Sequence, residues 1–246
     1  MKKIRIGIGG WNFPEWRKGV FYPEGLPQRQ ELEYASHVLG SIEINATYYG
    51  SQKPESFQKW HDETPEDFVF AVKASRFATN RKVLAEAGDS VARFLTSGIT
   101  RLGTKLGPIN WQLAETKKFD APDFAGFLKL LPQAQDGVPL RHAVEARHDS
   151  FASDEAAALC RDHGVALIRS GDSKFPEIDA QTADFAYLRI MGTTDQPLGY
   201  GEADLDRWAD EARRIAQDRE VYLYVISGQK DRNPAAARAL IERLAQ

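Results

Sequence analysis

The chain has 246 residues, close to the roughly 250 that are typical of a one-domain barrel of eight alternating strands and helices. Charged residues of both signs make up 27 % of the chain and the net charge is −3, which excludes the strong basic field of a nucleic-acid-coating protein but not a local basic patch. The single cysteine, Cys160, excludes a disulfide framework and a thiolate zinc site, and no apolar run approaches the about 20 residues that span a membrane, so we predict a cytoplasmic protein.

Strand-like and helix-like segments alternate through the first half of the chain. Apolar alternation and β-branched residues predict four strands, at residues 4–10, 41–48, 68–74 and 106–113. Helical patterns follow these strands at residues 28–39, 54–61, 89–97 and 122–131. Pro54 suits a first helical turn and Asp89 suits an N-cap, whereas Pro108 predicts an irregular fourth strand.

The same rhythm continues in the second half of the chain. Four more strands are predicted at residues 142–147, 165–170, 185–191 and 221–226, and helices at residues 153–163, 202–217 and 235–244. Strands that alternate with helices indicate parallel βαβ units, and each strand except the sixth is followed by a clear helix. We therefore predict an α/β fold, a single (β/α)8 TIM-type barrel domain over residues 1–246 that is irregular around strands four and six.

Polar side chains recur in the C-terminal halves of these predicted strands. Ile42 and Ile44 share one face of strand two, so Glu43 and Asn45 share the other. Because both faces of a parallel barrel strand are buried, the isoleucines should face the helices and the polar pair the barrel interior. The same reasoning applied to the later strands places one further set of residues at this end of the barrel: Lys73, Gln112, Glu145, Arg147, Asp172 and Arg189.

This convergence predicts a pocket, because active sites of such barrels lie at the C-terminal ends of the strands. A structural network that seals the barrel top is the alternative interpretation of the same residues. Trp11 and Tyr48 follow strands one and two and could form an aromatic wall beside the polar floor, or pack as a hydrophobic plug. The glycines around Gly9 do not complete a nucleotide-binding pattern, so they predict a turn.

Two segments of the chain are especially distinctive, Phe21-Tyr22-Pro23-Glu24-Gly25-Leu26 and Glu43-Ile44-Asn45. Together with residues 6–11, 70–74, 106–108, 112–113, 143–148, 184–189 and 221–224, which span nearly the whole chain, they resemble the DUF72 family, also called YecE-like proteins. The resemblance implies a barrel of the same kind and no established activity. The chain departs from the family pattern at Gly9, Met191 and Ser227, which all lie at the predicted mouth.

Our leading hypothesis is an enzyme, a hydrolase or an isomerase, that acts on an anionic, phosphate-bearing small molecule. Its functional groups fall into three classes: cations that bind the anion, carboxylates that act as general acid or base, and neutral groups that orient the substrate. The anion-binding residues would be Lys73, Arg147 and Arg189. The acid/base would be Glu43 or Glu145. Asn45, Gln112, Trp11, Tyr48 and Asp172 would complete the substrate site.

Three alternatives stay open from the sequence. Glu43, Glu145 and Asp172 could hold Mg²⁺ or Mn²⁺ in a metal-assisted phosphoesterase or nuclease-like hydrolase, although the histidines give little support and we assign no cofactor. Glu43 and Glu145 could also flank a glycosidic bond. A non-catalytic protein that binds a metabolite or nucleic acid would use a basic cluster, for which Arg76, Arg81, Lys82, Arg101 and Lys105 are available. No pattern in the sequence indicates an oligomeric state.

Overall fold

A sheet of parallel strands curves around the centre of the computed structural model, which describes residues 1–245. In chain order the strands are β1 Ile4–Gly9, β2 Ser41–Ile44, β3 Val69–Lys73, β4 Leu106–Gln112, β5 Ala134–Gln135, β6 Val138–Pro139, β7 His142–Glu145, β8 Ala166–Leu167, β9 Arg169–Gly171, β10 Phe185–Ile190 and β11 Glu220–Val225. Strands β5 and β6 pair with each other as a small antiparallel hairpin. The other nine form one sheet in the order β8-β7-β4-β3-β2-β1-β11-β10-β9.

The sheet closes into a barrel through its sixth strand, which is split in two. Ala166 and Leu167 of β8 pair with β7, whereas β9 pairs with β10, and Ile168 separates the two short pieces. Because β8 and β9 are consecutive in the chain, the two ends of the sheet meet. The predicted TIM-type barrel is therefore confirmed. Its irregular places are confirmed too, since the pairing of β4 with β3 shifts register between Phe70 and Val72.

Helices surround the barrel and follow most of its strands. They are α1 Glu31–Val38, α2 Ala46–Tyr49, α3 Pro54–Asp62, α4 Arg76–Thr79, α5 Gly88–Leu95, α6 Ala121–Leu128, α7 Asp154–Asp162, α8 Glu202–Ile215 and α9 Asn233–Leu244. Ser153 caps α7 as predicted, because its hydroxyl accepts the amide of Ala156. Asp89 lies inside the first turn of α5 rather than at its N-cap. Within residues 1–245 no helix is both long and apolar enough to cross a membrane.

The prediction that the second strand extends to residue 48 is wrong. The strand ends at Ile44, and the short helix α2 follows at once. Thr47 explains the early end, because its hydroxyl donates to the backbone carbonyl of Lys73 at 2.6 Å and ties the turn to the end of β3. As a result Tyr48 lies on a helical turn at the mouth of the barrel instead of on a strand.

Alternation along the strands divides the core into two layers. Ile42 and Ile44 are fully buried in the layer between the strands and the helices, as predicted. The opposite faces fill the barrel interior with residues that include Ala71, Tyr187 and Tyr224. Gly7 belongs to this inner face, and a Cβ there would overlap the carbonyl oxygen of Ser41 and approach the Tyr224 ring to 3.1 Å. Strand β1 therefore uses glycine for close packing inside the barrel.

Candidate functional site

A buried arginine joins two buried carboxylates at the C-terminal end of the barrel. The Arg189 guanidinium, on β10, donates from Nη1 to Glu145 Oε1 at 2.6 Å and from Nη2 to Glu43 Oε1 at 3.0 Å. Glu43 and Glu145 are fully buried and Arg189 is 4 % exposed. Charges removed this far from water need close partners, and here one cation serves two anions that come from β2 and β7.

The second oxygen of Glu43 is also occupied. Glu43 Oε2 accepts the phenol hydroxyl of Tyr187 at 2.5 Å and the side-chain amide of Asn110 at 3.2 Å. Burial alone would raise the pKa of Glu43, but Arg189, Lys73 and the Tyr187 hydrogen bond outweigh it and lower this pKa. Burial raises the pKa of Tyr187 well above its ordinary value, so the phenol keeps the proton that it donates. Glu43 is therefore a charged carboxylate with partners at both oxygens.

Glu145 has one engaged oxygen and one oxygen without a partner. Its Oε1 accepts hydrogen bonds from Arg189 and from Arg147, whose Nε and Nη2 lie at 3.0 and 2.9 Å. Its Oε2 is buried and has no hydrogen-bond partner within residues 1–245. Burial works against the charge, but Arg189 and Arg147 lower the pKa of Glu145 below its ordinary value. An ionised carboxylate thus presents one unsatisfied acceptor at the floor of the site.

Lys73, at the end of β3, is the third cation of this cluster and differs from the arginines. Its side chain is buried to 7 % exposure, and Nζ lies 4.6 Å from the centre of the Tyr48 ring. In the described part of the chain this amine forms no hydrogen bond and no ion pair. Burial, followed by the neighbouring Arg189, lowers the pKa of Lys73 to about 8.

A cavity of about 420 Å³ opens above these residues at the mouth of the barrel. Its wall carries the cations Lys73, Arg147, Arg189 and Lys230 and no carboxylate. The remaining lining residues are Gly9, Phe13, Trp16, Asn45, Tyr49, Gln112, Ile226, Ser227 and Asn233. Glu43 and Glu145 lie beneath this wall, fully buried. A molecule that enters the cavity therefore meets positive charge first.

The sequence matches the family model described as "Protein of unknown function DUF72" over residues 5–246. The chain belongs to the DUF72 family. It is 31 % identical over 150 residues to the UPF0759 protein YecE of Escherichia coli K12, a match that covers 60 % of this chain and 50 % of that protein. It is 33 % identical over 79 residues to the UPF0759 protein YunF of Bacillus subtilis, covering 32 % and 27 % of the two chains. The matches thus span half the length of these curated relatives or less.

Solved structures agree with this DUF72 chain in fold. A DUF72 family protein of Thermotoga maritima superposes with a TM-score of 0.80 at 23 % identity, covering 99 % of this chain and 100 % of the other. D-psicose 3-epimerase of Clostridium cellulolyticum H10 superposes with a TM-score of 0.57 at 11 % identity, covering 100 % and 97 %. At these identities the likeness establishes the barrel architecture alone.

Most of the sequence-predicted site residues of the DUF72 chain converge on the cavity. Asn45, Lys73, Gln112, Arg147 and Arg189 line its wall. The two carboxylates lie directly below it. The Tyr48 hydroxyl contacts the Gln112 side-chain amide at 3.4 Å, so this ring closes one side of the cluster.

Asp172, Trp11 and Tyr48 do not line the cavity, in contrast to the prediction. The carboxylate of Asp172 accepts the indole N–H of Trp208 at 2.6 Å and the Arg207 guanidinium at 2.9 Å, because its backbone adopts a left-handed turn (φ 51°) after β9 and points the side chain toward α8. Trp11 lies in a neighbouring cleft of about 400 Å³, where its ring packs edge to face against Trp60 at 5.2 Å. That cleft shares Phe13 and Asn45 with the cavity.

The predicted Mg²⁺ or Mn²⁺ ligands of the DUF72 chain do not come together. Asp172 is held by α8, and the Arg189 guanidinium occupies the space between Glu43 and Glu145. Within residues 1–245 no three side chains of His, Cys, Asp or Glu are grouped closely enough to hold a metal ion. The same guanidinium separates the two carboxylates that a glycosidase would place on either side of a sugar.

The site also contains residues that the sequence analysis did not predict, among them Asn110, Tyr187 and Lys230. Asn110 and Tyr187 hydrogen-bond to Glu43 from inward-facing positions two residues before Gln112 and Arg189. Inward- and outward-facing residues alternate along each strand, and the same alternation that predicted Gln112 and Arg189 also points Asn110 and Tyr187 inward. It could therefore have predicted these two residues as part of the site. Lys230 reaches the cavity from a 3-10 turn after β11, and no periodic pattern marks it.

Proposed function

We propose that this chain is an enzyme that binds a phosphate-bearing small molecule in the mouth cavity and acts on it with a carboxylate acid/base. The observation that carries the proposal is the composition of the cavity wall: four cationic side chains and no carboxylate. Guanidinium groups suit phosphate because their planar N–H groups match two phosphate oxygens. A neutral sugar would leave the charges of Lys73 and Lys230 uncompensated, since only the two arginines have carboxylate partners within residues 1–245.

The cations divide into two kinds by what they already bind. Arg189 is committed to Glu43 and Glu145, so it supplies positive charge at the floor rather than a free binding face. Arg147 also pairs with Glu145, but it lies closer to solvent and its Nη1 makes no hydrogen bond within residues 1–245. This nitrogen and the amine of Lys230 remain available for an arriving anion. Arg147 is partly oriented already, since it donates to Glu145 and to Gln112 Oε1 at 2.7 Å. Orientation before binding reduces the entropy lost on binding.

Glu145 is the better of the two acid/base candidates. Both oxygens of Glu43 accept hydrogen bonds, which fits a residue that positions Arg189. Glu145 Oε2 has no hydrogen-bond partner within residues 1–245, so the Glu145 carboxylate, which its lowered pKa keeps ionised, retains one free acceptor oxygen. A correctly placed general base contributes about 10²–10⁴-fold to the rate. Once a reaction is known, Glu145→Gln should lose most of that factor.

Inorganic phosphate tests the anion-binding part of the proposal. We expect the double variant Arg147→Gln/Lys230→Gln to bind phosphate at least about tenfold more weakly than the unchanged protein, because hydrogen bonds to charged groups contribute about 1.5–3 kcal/mol each. Isothermal titration calorimetry at low salt measures the affinity directly. Thermal shift against phosphate concentration gives an independent value.

The matched control is the exposed Arg238 on α9, which lies outside the cavity. Arg238→Gln together with Lys118→Gln removes the same number and kinds of charges from exposed sites. Phosphate affinity should stay unchanged in this control. If the two double variants lose affinity equally, net charge rather than the cavity explains binding and the proposal fails.

A further inference from the structure

Two buried lysines in this chain have opposite surroundings. Lys105 is 4 % exposed, and its Nζ donates to the carbonyl oxygens of His61 and Thr64 at 2.5 and 2.6 Å and to the Thr64 hydroxyl at 3.2 Å. That amine has a full set of partners and fixes the end of α3. Lys73 is 7 % exposed, and its Nζ lies over the face of the Tyr48 ring without a hydrogen bond or an ion pair in residues 1–245.

The nearby carboxylates do not explain why Lys73 is buried. Glu43 and Glu145 are bridged by Arg189, and Arg147 adds a further positive charge to Glu145. Lys73 is thus the third cation beside two anions that the arginines already neutralise. Burial of most of this side chain without a hydrogen bond or an ion pair for its amine costs stability. Because it also lines the cavity, a role in chemistry accounts for its position better than a role in folding.

We propose that Lys73 forms an imine with the carbonyl carbon of a phosphate-bearing aldehyde or ketone. The imine rests on the function proposed above, since the phosphate group would be held by Arg147 and Lys230 while the carbonyl end reaches the inner wall. The substrate class is therefore narrowed from a phosphate ester in general to a phosphorylated carbonyl compound.

The covalent step releases one water and involves no oxidant or reductant. The Nζ lone pair attacks the carbonyl carbon, a C–N bond forms, and the carbonyl π electrons move to oxygen, which takes up a proton while nitrogen loses one. In the resulting carbinolamine, nitrogen loses its second proton, the C–O bond breaks, and the hydroxyl takes up a proton and leaves as water. The acid/base group proposed above, Glu145, would carry these protons between nitrogen and oxygen on Oε2, which has no hydrogen-bond partner within residues 1–245.

The electrostatics favour the neutral amine that this attack needs. Burial and the positive charge of Arg189 lower the pKa of Lys73 to about 8, so about half of the amine is unprotonated at pH 8. An exposed lysine, with a pKa of about 10.4, is almost entirely protonated there. Imine formation at Lys73 should therefore increase as pH rises through 8.

Borohydride trapping tests the imine. The protein is incubated separately with dihydroxyacetone phosphate and with pyridoxal 5′-phosphate, reduced with sodium borohydride, and analysed by intact mass and peptide mapping. We expect one adduct per chain, located on Lys73, formed at least about tenfold faster than adducts on exposed lysines because of the larger unprotonated fraction. Inorganic phosphate should slow its formation.

Two variants make the result specific. Lys73→Arg keeps the positive charge but has no amine that can form an imine, so it should lose the adduct. Lys118→Gln removes an exposed lysine outside the cavity and should keep the adduct. Thermal unfolding of each variant confirms that it is folded.

The outcomes separate the two proposals. Labelling spread over exposed lysines at equal rates, or no adduct with either probe in a protein that binds inorganic phosphate, overturns the imine and leaves the proposed function standing. Adduct formation on Lys73 that phosphate does not slow overturns the phosphorylated class of substrate. A protein that neither binds phosphate nor forms the adduct contradicts the proposed function as well.

Discussion

Replacing Arg189 with methionine should lower the free energy of unfolding by about 3–5 kcal/mol, because it leaves two buried carboxylates without their shared cation. Both Glu43 and Glu145 are fully buried, and Arg189 donates to each of them. For a chain of this size we expect the melting temperature to fall by roughly 10 °C. Urea unfolding followed by circular dichroism gives the free energy.

Arg238→Met is the matched control, since it removes the same charge from an exposed position on α9. This control should change the free energy of unfolding by less than about 0.5 kcal/mol. The free energy of unfolding of Arg189→Lys, which retains one positive charge, should lie between those of Arg189→Met and Arg238→Met. Equal stability of Arg189→Met and Arg238→Met would show that the buried cluster does not depend on its shared arginine.

The destabilisation caused by Arg189→Met should depend on pH. In the unchanged protein the pKa values of Glu43 and Glu145 are lower than the pKa of about 4.3 that a glutamate has in the unfolded chain. Their ionised forms therefore stabilise the fold at pH values above about 4.3. This stabilisation is lost as the pH falls through the lowered pKa values of the folded protein. Without Arg189, burial becomes dominant and raises both pKa values. The loss caused by Arg189→Met should therefore shrink between pH 7 and pH 5, as the buried carboxyls take up protons.

Gly7→Ala should destabilise the barrel by about 3 kcal/mol, at the upper end of what overpacking of a core costs. The added methyl group would overlap the carbonyl oxygen of Ser41, which belongs to the neighbouring strand β2. The backbone of two paired parallel strands is held by the sheet, so the carbonyl group cannot move aside as the end of a flexible side chain can. The displacement would also disturb the hydrogen bond of 2.7 Å between the hydroxyls of Ser41 and Tyr224.

Gly50→Ala provides the comparison for this prediction. Gly50 follows α2 with an extended backbone (φ −164°), and no heavy atom lies within 4 Å of where its Cβ would be. The Gly50→Ala substitution should therefore leave the free energy of unfolding nearly unchanged in the same urea titration. If Gly7→Ala unfolds at the same urea concentration as Gly50→Ala, the close packing at β1 does not limit the fold.

Alternation along strands predicted the direction of the site residues well. Two isoleucines on one face of β2 were enough to place Glu43 inside the barrel, and the same reasoning placed Lys73, Glu145 and Arg189 at one rim. Strand periodicity succeeds here because the buried layers of the barrel permit only one orientation of each strand.

Contacts between distant segments could not be predicted in the same way. The early end of β2 depends on a hydrogen bond from Thr47 to the carbonyl of Lys73, 26 residues away. The turn after β9 sends Asp172 toward Trp208 through a left-handed backbone conformation that no sequence pattern announced. The sequence also does not distinguish Lys73 from Arg147 and Arg189. In the structure Arg189 pairs with both carboxylates, and Lys73 is left without an ion pair within residues 1–245.

Because the sixth strand is split, the ion pair between Arg189 and Glu145 also affects the barrel wall. β8 contributes only two residue pairs to its ladder with β7, fewer than any other ladder of the barrel sheet in residues 1–245. Arg189 and Glu145 belong to β10 and β7, the strands on either side of the split strand, and their 2.6 Å contact reaches across it. The residues that govern the electrostatics of the cavity therefore also join the two sides of the barrel wall next to its shortest ladder.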